Sequence, residues 1–197
     1  MKKINALFAL LLVAGAVSAQ TVWNMDKVHS NVGFSVSHMV VSEAGGNFTD
    51  FTAKVVSKTA DFDGADVDFS TKTASVNTGN EKRDGHLKSP DFFDAEKFPD
   101  ITFKGTLVKA GGKYQLKGKF TMHGVIKDAA FDVTYGGTID TGRGTKAGFK
   151  LTGKINRQDY GVKFASKLAD GSAVVGDEVD VTCKIELDKK TPAADKK

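Results

Sequence analysis

The chain has 197 residues, 28 basic against 24 acidic side chains, 40% hydrophobic residues, 21 glycines, 14 phenylalanines and one cysteine. This is a globular composition of single-domain length with a surplus of Gly and Phe, and it excludes a disordered, collagenous or coiled-coil chain. One cysteine excludes an intrachain disulfide and any zinc site that needs two thiolates.

Residues 1–19 read as a secretory signal, with the cationic start Met1-Lys2-Lys3, an apolar run from Ile4 to Val17 and the small-residue cleavage motif Val17-Ser18-Ala19. A periplasmic or secreted protein is expected, with no transmembrane span after cleavage, because the run is short for a bilayer and polar residues follow it. The segment takes away two lysines and no acid, so the formal charge falls from +4 to +2. The remaining lysines are scattered singly, without an arginine-rich stripe and interleaved aromatics, and nucleic acid is not an expected partner. Residues 189–197 lack apolar periodicity and read as a flexible tail, which leaves 20–188 as the folded domain.

Alternation of period two dominates that domain. Val32, Phe34, Val36 and His38 share one face; Gly45-Gly46 reads as a turn; Phe51, Ala53 and Val55 alternate with Thr52 and Lys54. Asp63-Gly64 is a turn signal, and Val67 and Phe69 follow. From Asn77 to Asp94 the pattern breaks into a polar stretch with capping residues at Asn77 and Thr78 and a stop at Pro90, which predicts a short helix over about 79–88 with Phe92 and Phe93 packed beneath it. Ile101, Phe103, Gly105 and Leu107 form the next strand, Gly111-Gly112 a hairpin turn, and Leu116, Gly118, Phe120 and Met122 the strand after it. His123-Gly124 turns the chain into Phe131, Val133 and Tyr135; Gly136-Gly137 and Gly142-Arg143-Gly144 read as turns before Phe149, Leu151, Gly153 and Ile155. Arg157 to Gly176 is a second irregular region, and Val179, Val181, Cys183, Ile185 and Leu187 make the last strand.

Eight antiparallel strands, each apolar on one face, close as a two-sheet sandwich or as an up-and-down barrel. The dry face carries Phe on nearly every strand, with Gly105, Gly118 and Gly153 as gaps. A sandwich would interdigitate more Val, Ile and Leu, whereas a barrel uses Gly at its coiling corners and can enclose a small-ligand lumen, so the barrel is favoured. Aromatic walls of this kind suit a long apolar guest.

Several stretches resemble the YceI-like family of bacterial periplasmic proteins over residues 22–187: Trp23-x-x-Asp26-x-x-His29-Ser30; Phe34-x-Val36-x-His38-Met39-Val40-Val41; Arg83-Asp84-x-His86-Leu87-Lys88-Ser89-Pro90-Asp91-Phe92-Phe93-Asp94 running on to Phe98-Pro99-x-Ile101-Thr102-Phe103; Phe120-Thr121-Met122-His123-Gly124-Val125; and Ile155-Asn156-Arg157-x-Asp159-Tyr160-Gly161-Val162. The resemblance implies an all-β, eight-stranded antiparallel, lipocalin-like barrel with a short helix near one mouth. It also implies a polyisoprenoid, quinone-like or fatty-acyl lipid as partner, an association with stress, and no attached reaction.

The leading expectation is a non-catalytic carrier. Phe34, Val36, Phe69, Phe103, Phe120, Met122, Phe131, Phe149 and Leu151 would wall the lumen, with His38 on the same mainly apolar face. Arg83, His86 and Arg157 would hold a head group if both irregular segments meet at one mouth. The competing reading of the arginines, ion-paired with Asp84 and Asp159, is that they pin the helix to the rim, and it carries somewhat more weight because buried arginines are usually paired. His29, His38, His86 and His123 show no metal-ligand spacing, so no metal or cofactor is expected; His29 and His123 read as bonding backbone at turns and His38 as having one satisfied nitrogen. Ser30, His29 and Asp26 cannot make a local triad, since neighbouring strand residues face opposite ways. The Asp61-x-Asp63-Gly64-x-Asp66-x-Asp68 run fails the EF-hand spacing and reads as a turn and a solvated strand face. Cys183 falls on the dry face and reads as a buried thiol. Two other classes stay open: an enzyme using His38 or His86 as acid or base, and a solid barrel whose rim binds a membrane protein. Homodimerisation through an edge or rim is also open.

Overall fold

The computed structural model describes residues 20–189; the expected signal and residues 190–197 of the tail lie outside the described residues. In chain order come β1 (Thr21–Met25), β2 (Asn31–His38), β3 (Ser42–Phe48), β4 (Phe51–Ser57) and β5 (Ala65–Lys72). A 3-10 turn, Thr73–Ser75, leads to the two-residue β6 (Val76–Asn77) and to helix α1 (Glu81–Lys88). Then follow β7 (Asp100–Ala110), β8 (Lys113–Met122), β9 (Val125–Asp140), β10 (Thr145–Asn156), a 3-10 turn at Arg157–Tyr160, and β11 (Val175–Lys189).

Strands β1, β4, β5, β7, β8, β9, β10 and β11 pair in that order, and β11 returns to β1 through Asn24↔Asp188 and Met25↔Leu187. The result is a closed, eight-stranded antiparallel barrel, which removes the free edges that an open sheet would expose. Farther along β11, from Lys184 to Val175, its partner is β2 instead of β1, and β2 in turn carries β3 and β6. Thus β1–β2, β3–β4 and β5–β6 lie end to end, three wall strands each broken by a bend.

The alternation read from sequence sets which side faces in. On β4, Phe51, Ala53, Val55 and Ser57 are buried while Thr52 and Lys54 are exposed; on β8, Tyr114, Leu116, Phe120 and Met122 are buried while Gln115, Lys117 and Lys119 are exposed. The turns at Asp63-Gly64, Gly111-Gly112, His123-Gly124 and Gly142-Arg143-Gly144 fall where expected. Two other glycine pairs do not make turns. Gly45 and Gly46 lie inside β3, and a Cβ on Gly46 would sit 2.7 Å from the Thr78 side chain and 2.8 Å from the Asn77 carbonyl oxygen, so the residue is small because β6 crosses against it. Gly136 and Gly137 lie inside β9, where the register with β10 shifts at Gly148/Phe149; this pair marks a bulge that bends a long strand.

The supposed glycine gaps are filled. Gly105 and Gly118 face each other across β7 and β8, and a Cβ on either would come 2.2 Å from a carbonyl oxygen of the opposite strand, Lys117 or Lys104. Gly153 lies under the Phe131 ring, 2.6 Å from where a Cβ would stand.

Helix α1 forms where the alternation stops, but its cap differs from the expected one. Asn80 accepts from the Arg83 backbone N–H, while Asn77 accepts from Gly79 N–H in the preceding turn, and Thr78 donates both its N–H and its hydroxyl to Asp84. The helix ends at Ser89, just before Pro90. Among the described residues no helix is long and apolar enough to cross a membrane.

Candidate functional site

A cavity of about 440 Å³ runs inside the barrel, within the range of small-ligand pockets, and its surface is almost wholly apolar. Every strand that alternates contributes to it. Phe34, Val36 and His38 reach it from β2, Phe69 from β5, Phe103 from β7, Phe120 and Met122 from β8, Phe131 from β9, and Phe149 and Leu151 from β10. Arg83 and His86 of α1 and Arg157 after β10 touch it at one end. All residues expected on the wall or at the mouth therefore border one space. Phe34, Phe69, Phe149 and Leu151 are only partly buried although they point inward, because the lumen itself gives their surfaces room.

One end is sealed. The loop after β4 folds Phe62 inward to 1% exposure, with its ring centroid 5.0 Å from Trp23, 5.0 Å from Phe149 and 5.6 Å from Tyr135. The loop is clamped to the barrel by Tyr114 Oη donating to the Asp61 carbonyl (2.7 Å), Lys109 Nζ on the Asp61 carboxylate (2.8 Å) and Gly64 N–H donating to the Leu107 carbonyl (2.8 Å). The Lys109 ammonium holds the Asp61 carboxyl down to about 2. The acidic run is thus more than a turn, since it carries Phe62 into the core behind Phe149, a residue of the cavity wall. The signal available in the sequence was an aromatic residue set inside a polar turn.

The other end is the mouth. The two irregular segments meet there: the ring of Phe164 stacks on Phe92 at 4.6 Å, and His86 stands edge-on to both Phe92 (4.9 Å) and Phe164 (5.2 Å). Leu87 and Phe93 also line this end, with Phe93 against Phe48 at 5.9 Å. Phe164 was not among the expected wall residues, because nothing in its flanks, Lys163 and Ala165, alternates.

The arginines at the mouth are committed to the protein. Arg157 is 5% exposed; its Nε donates to the Gly176 carbonyl (2.8 Å), Nη1 to the Val162 carbonyl (2.8 Å), and Nη2 to the Asp177 carboxylate (2.9 Å) and, at 3.4 Å, to the Val175 carbonyl. Burial pushes its guanidinium below the usual arginine range, with Asp177 acting the other way. Arg83 donates from Nε to the Thr78 hydroxyl and from Nη2 to the Thr78 carbonyl. The expected partners are replaced: Asp84 accepts from Thr78, and Asp159 pairs with Lys127 at 3.5 Å. Arg157 pins the second irregular segment to β11, whereas Arg83 braces α1 against Thr78 in the turn that precedes it.

The histidines divide. His86 Nε2 lies 2.9 Å from Asp91 Oδ2, with Leu87, Phe92, Phe93 and Phe164 as its cavity neighbours. His38 borders the lumen, and its ring makes no hydrogen bond among the described residues, so the expected satisfied nitrogen is not there. His123 packs on Phe98 at 4.3 Å with Nε2 buried and unpartnered, not bonded to backbone. His29 bonds the Asp26 carboxylate (2.8 Å) instead of backbone, while Ser30 exchanges hydrogen bonds with the Glu186 main chain; the three do not form a triad.

Asp26, His29 and Glu186 are the one group among the described residues whose ligand-type atoms lie close enough to hold a metal. Lys146 already supplies positive charge there, with Nζ 3.1 Å from Asp26, 2.6 Å from Glu186 and 2.8 Å from Asp188. Its bonds to His29 and Lys146 hold the Asp26 carboxyl far below the carboxylate range, and the Asp26 contact raises His29. The cluster ties β1, β10 and β11 together at the barrel seam. Cys183 faces the lumen, and burial pushes its thiol up to about 12, so it is not a nucleophile at neutral pH.

Comparison with known proteins bears on the whole chain. The model of the YceI-like domain matches residues 23–187. A UPF0312 protein of Staphylococcus aureus strain MSSA476 is 33% identical over 171 residues, covering 85% of this chain and 97% of its own. The YCEI protein of Campylobacter jejuni, a solved structure, is 34% identical with a TM-score of 0.67, covering 84% of this chain and 96% of that one. A polyisoprenoid binding domain from Saccharophagus degradans, at 16% identity and a TM-score of 0.61 over 86% of this chain and 99% of its own, shares the fold. With the matched domain spanning nearly all described residues, the chain belongs to the YceI-like family.

Proposed function

We propose that this protein is a non-catalytic carrier that removes a long isoprenoid chain, or a similar acyl or quinone-like tail, from water and shields it in the barrel lumen. The observation that carries this reading is an apolar space of about 440 Å³ inside the barrel, bordered by phenylalanines from seven strands. The shared fold of the Saccharophagus degradans polyisoprenoid binding domain supports the same class of guest. Each 100 Å² of guest surface removed from water contributes about 2.5 kcal/mol before ordering costs.

The guest is held by its tail. Arg83 and Arg157 direct their hydrogen bonds into the protein, so the head group rests at the mouth beside His86 and His38 without a charged cradle. The export signal read at residues 1–19 supports a periplasmic or secreted setting, where a lipid chain crossing water needs such a shield, and where lipid damage under stress would create the demand.

Native mass spectrometry of protein purified from its own compartment, with organic extraction, tests the reading. A stoichiometric long-chain species is expected. An empty protein that also fails to take up polyprenols or fatty amides would overturn it and favour a rim-binding module.

A further inference from the structure

The β2–β3 hairpin ends in Met39-Val40-Val41, which are 40%, 70% and 87% exposed. The other largely exposed aliphatic side chains, such as Val28 and Ile139, stand singly in the sequence. The hairpin tip is also conformationally unusual. Met39 and Val40 have φ of 52° and 63°, the left-handed region that favours Gly or Asn and that β-branched Val adopts at a cost. Apolar residues thus stand at two successive positions where a polar turn residue would be both more soluble and less strained. Such a combination points to a role for the tip outside the fold.

The tip is continuous with the cavity mouth. His38, next to it, borders the lumen; Met39 N–H donates to the Val174 carbonyl, and Val174 N–H donates to the Ser166 carbonyl. The segment that closes the mouth with Phe164 is therefore laid beside the tip, two strand spacings or about 10 Å across. That segment carries Lys163 and Lys167, both exposed and without an ion pair among the described residues. Its single acid, Asp170, accepts from the Ser172 backbone in its own turn.

We propose that Met39-Val40-Val41 is a membrane-docking tip that inserts into the headgroup–acyl boundary of an anionic bilayer, with Lys163 and Lys167 on the lipid phosphates, so that the mouth opens onto the source of the guest. This rests on the carrier reading. Three aliphatic side chains are far too little surface for a specific protein interface, which needs about 800 Å² per partner. They suit shallow insertion reinforced by flanking cations.

The test is co-sedimentation of the purified protein with vesicles of phosphatidylcholine alone or of equimolar phosphatidylcholine and phosphatidylglycerol, with intact masses checked so that every sample has the same N terminus. Val40→Asn combined with Val41→Ser should lower partitioning onto the anionic vesicles about tenfold. The melting temperature should hold or rise, because Asn relieves the left-handed strain. Lys163→Gln with Lys167→Gln should abolish the preference for phosphatidylglycerol. Wild-type protein that ignores both vesicles, or partitioning unchanged by the tip variant, would overturn the proposal. Extracting lipid from the same samples keeps the two readings apart: a guest-loaded protein blind to vesicles sinks the docking tip alone, and a vesicle-binding protein that never holds a guest sinks the carrier alone.

Discussion

Val181→Phe should leave the barrel at least as stable while shrinking its guest. Val181 lies on β11 between Gly153 of β10 and Phe34 of β2, partly buried and facing the lumen. In a space of about 440 Å³ that protein atoms do not fill, the added ring finds room. Its four added carbons leave water at about 0.8 kcal/mol each, offset by about 0.5–1 kcal/mol of side-chain entropy, for a net gain of roughly 2 kcal/mol. In a chain of this size each kcal/mol moves the midpoint by about 2–4 °C. The same substitution in a core packed to native density forces neighbours off their rotamers and costs about 1–3 kcal/mol. The sign of the change therefore separates a lumen from a solid barrel. The assay is urea unfolding of delipidated protein, since a retained guest would add stability by mass action, followed by extraction and mass spectrometry of what each form carries. A loss of more than about 1 kcal/mol with the guest unchanged would mean that the barrel is packed solid.

Arg157→Lys should destabilise the protein by about 3 kcal/mol in the same unfolding assay, because a lysine cannot serve three carbonyls and Asp177 from one buried position. If Arg157 instead gripped a head group, stability would hold and guest content would fall. Gly118→Ala should prevent stable folding, since the new methyl meets the Lys104 carbonyl oxygen at 2.2 Å and backbone cannot step aside; soluble protein with an unchanged melt would contradict the pinch between β7 and β8. The seam cluster predicts two limbs of pH dependence. His29 is raised above 6.5 by Asp26, so its contribution is complete below pH 6.5 and is lost as pH rises through the folded value. Asp26 is lowered from 3.8, so its contribution is present above pH 3.8 and is lost as acid titrates the folded carboxyl. Thermal melts against pH should show the upper limb disappear in His29→Ala and the acid limb weaken in Asp26→Asn; a wild-type melt flat from pH 5 to 9 would count against the first.

The parts legible in the sequence were those governed by local rules. Alternation of period two marked the inward face of every long strand, so Phe103, Phe120 and Phe131 were placed on the wall before any tertiary contact was known. Capping chemistry and Pro90 bounded α1 to within two residues. Glycine pairs were less informative. The same dipeptide makes a hairpin turn at Gly111-Gly112 but a crossing point at Gly45-Gly46 and a bulge at Gly136-Gly137, because a missing Cβ serves a left-handed turn, a close backbone approach or a bend equally well.

Composition and alternation alone yield an all-β chain with one apolar face per strand, too rich in phenylalanine for an ordinary sandwich core. How that face is used follows from contacts made in three dimensions. Phe62 became a core residue through contacts with Trp23, Tyr135 and Phe149, which are remote in the chain. Arg157 became a pin because the carbonyls of Val162 and Gly176 happen to converge on it. Such roles depend on which groups the folded chain brings together, and convergence of this kind leaves no periodic trace in the residues that make it.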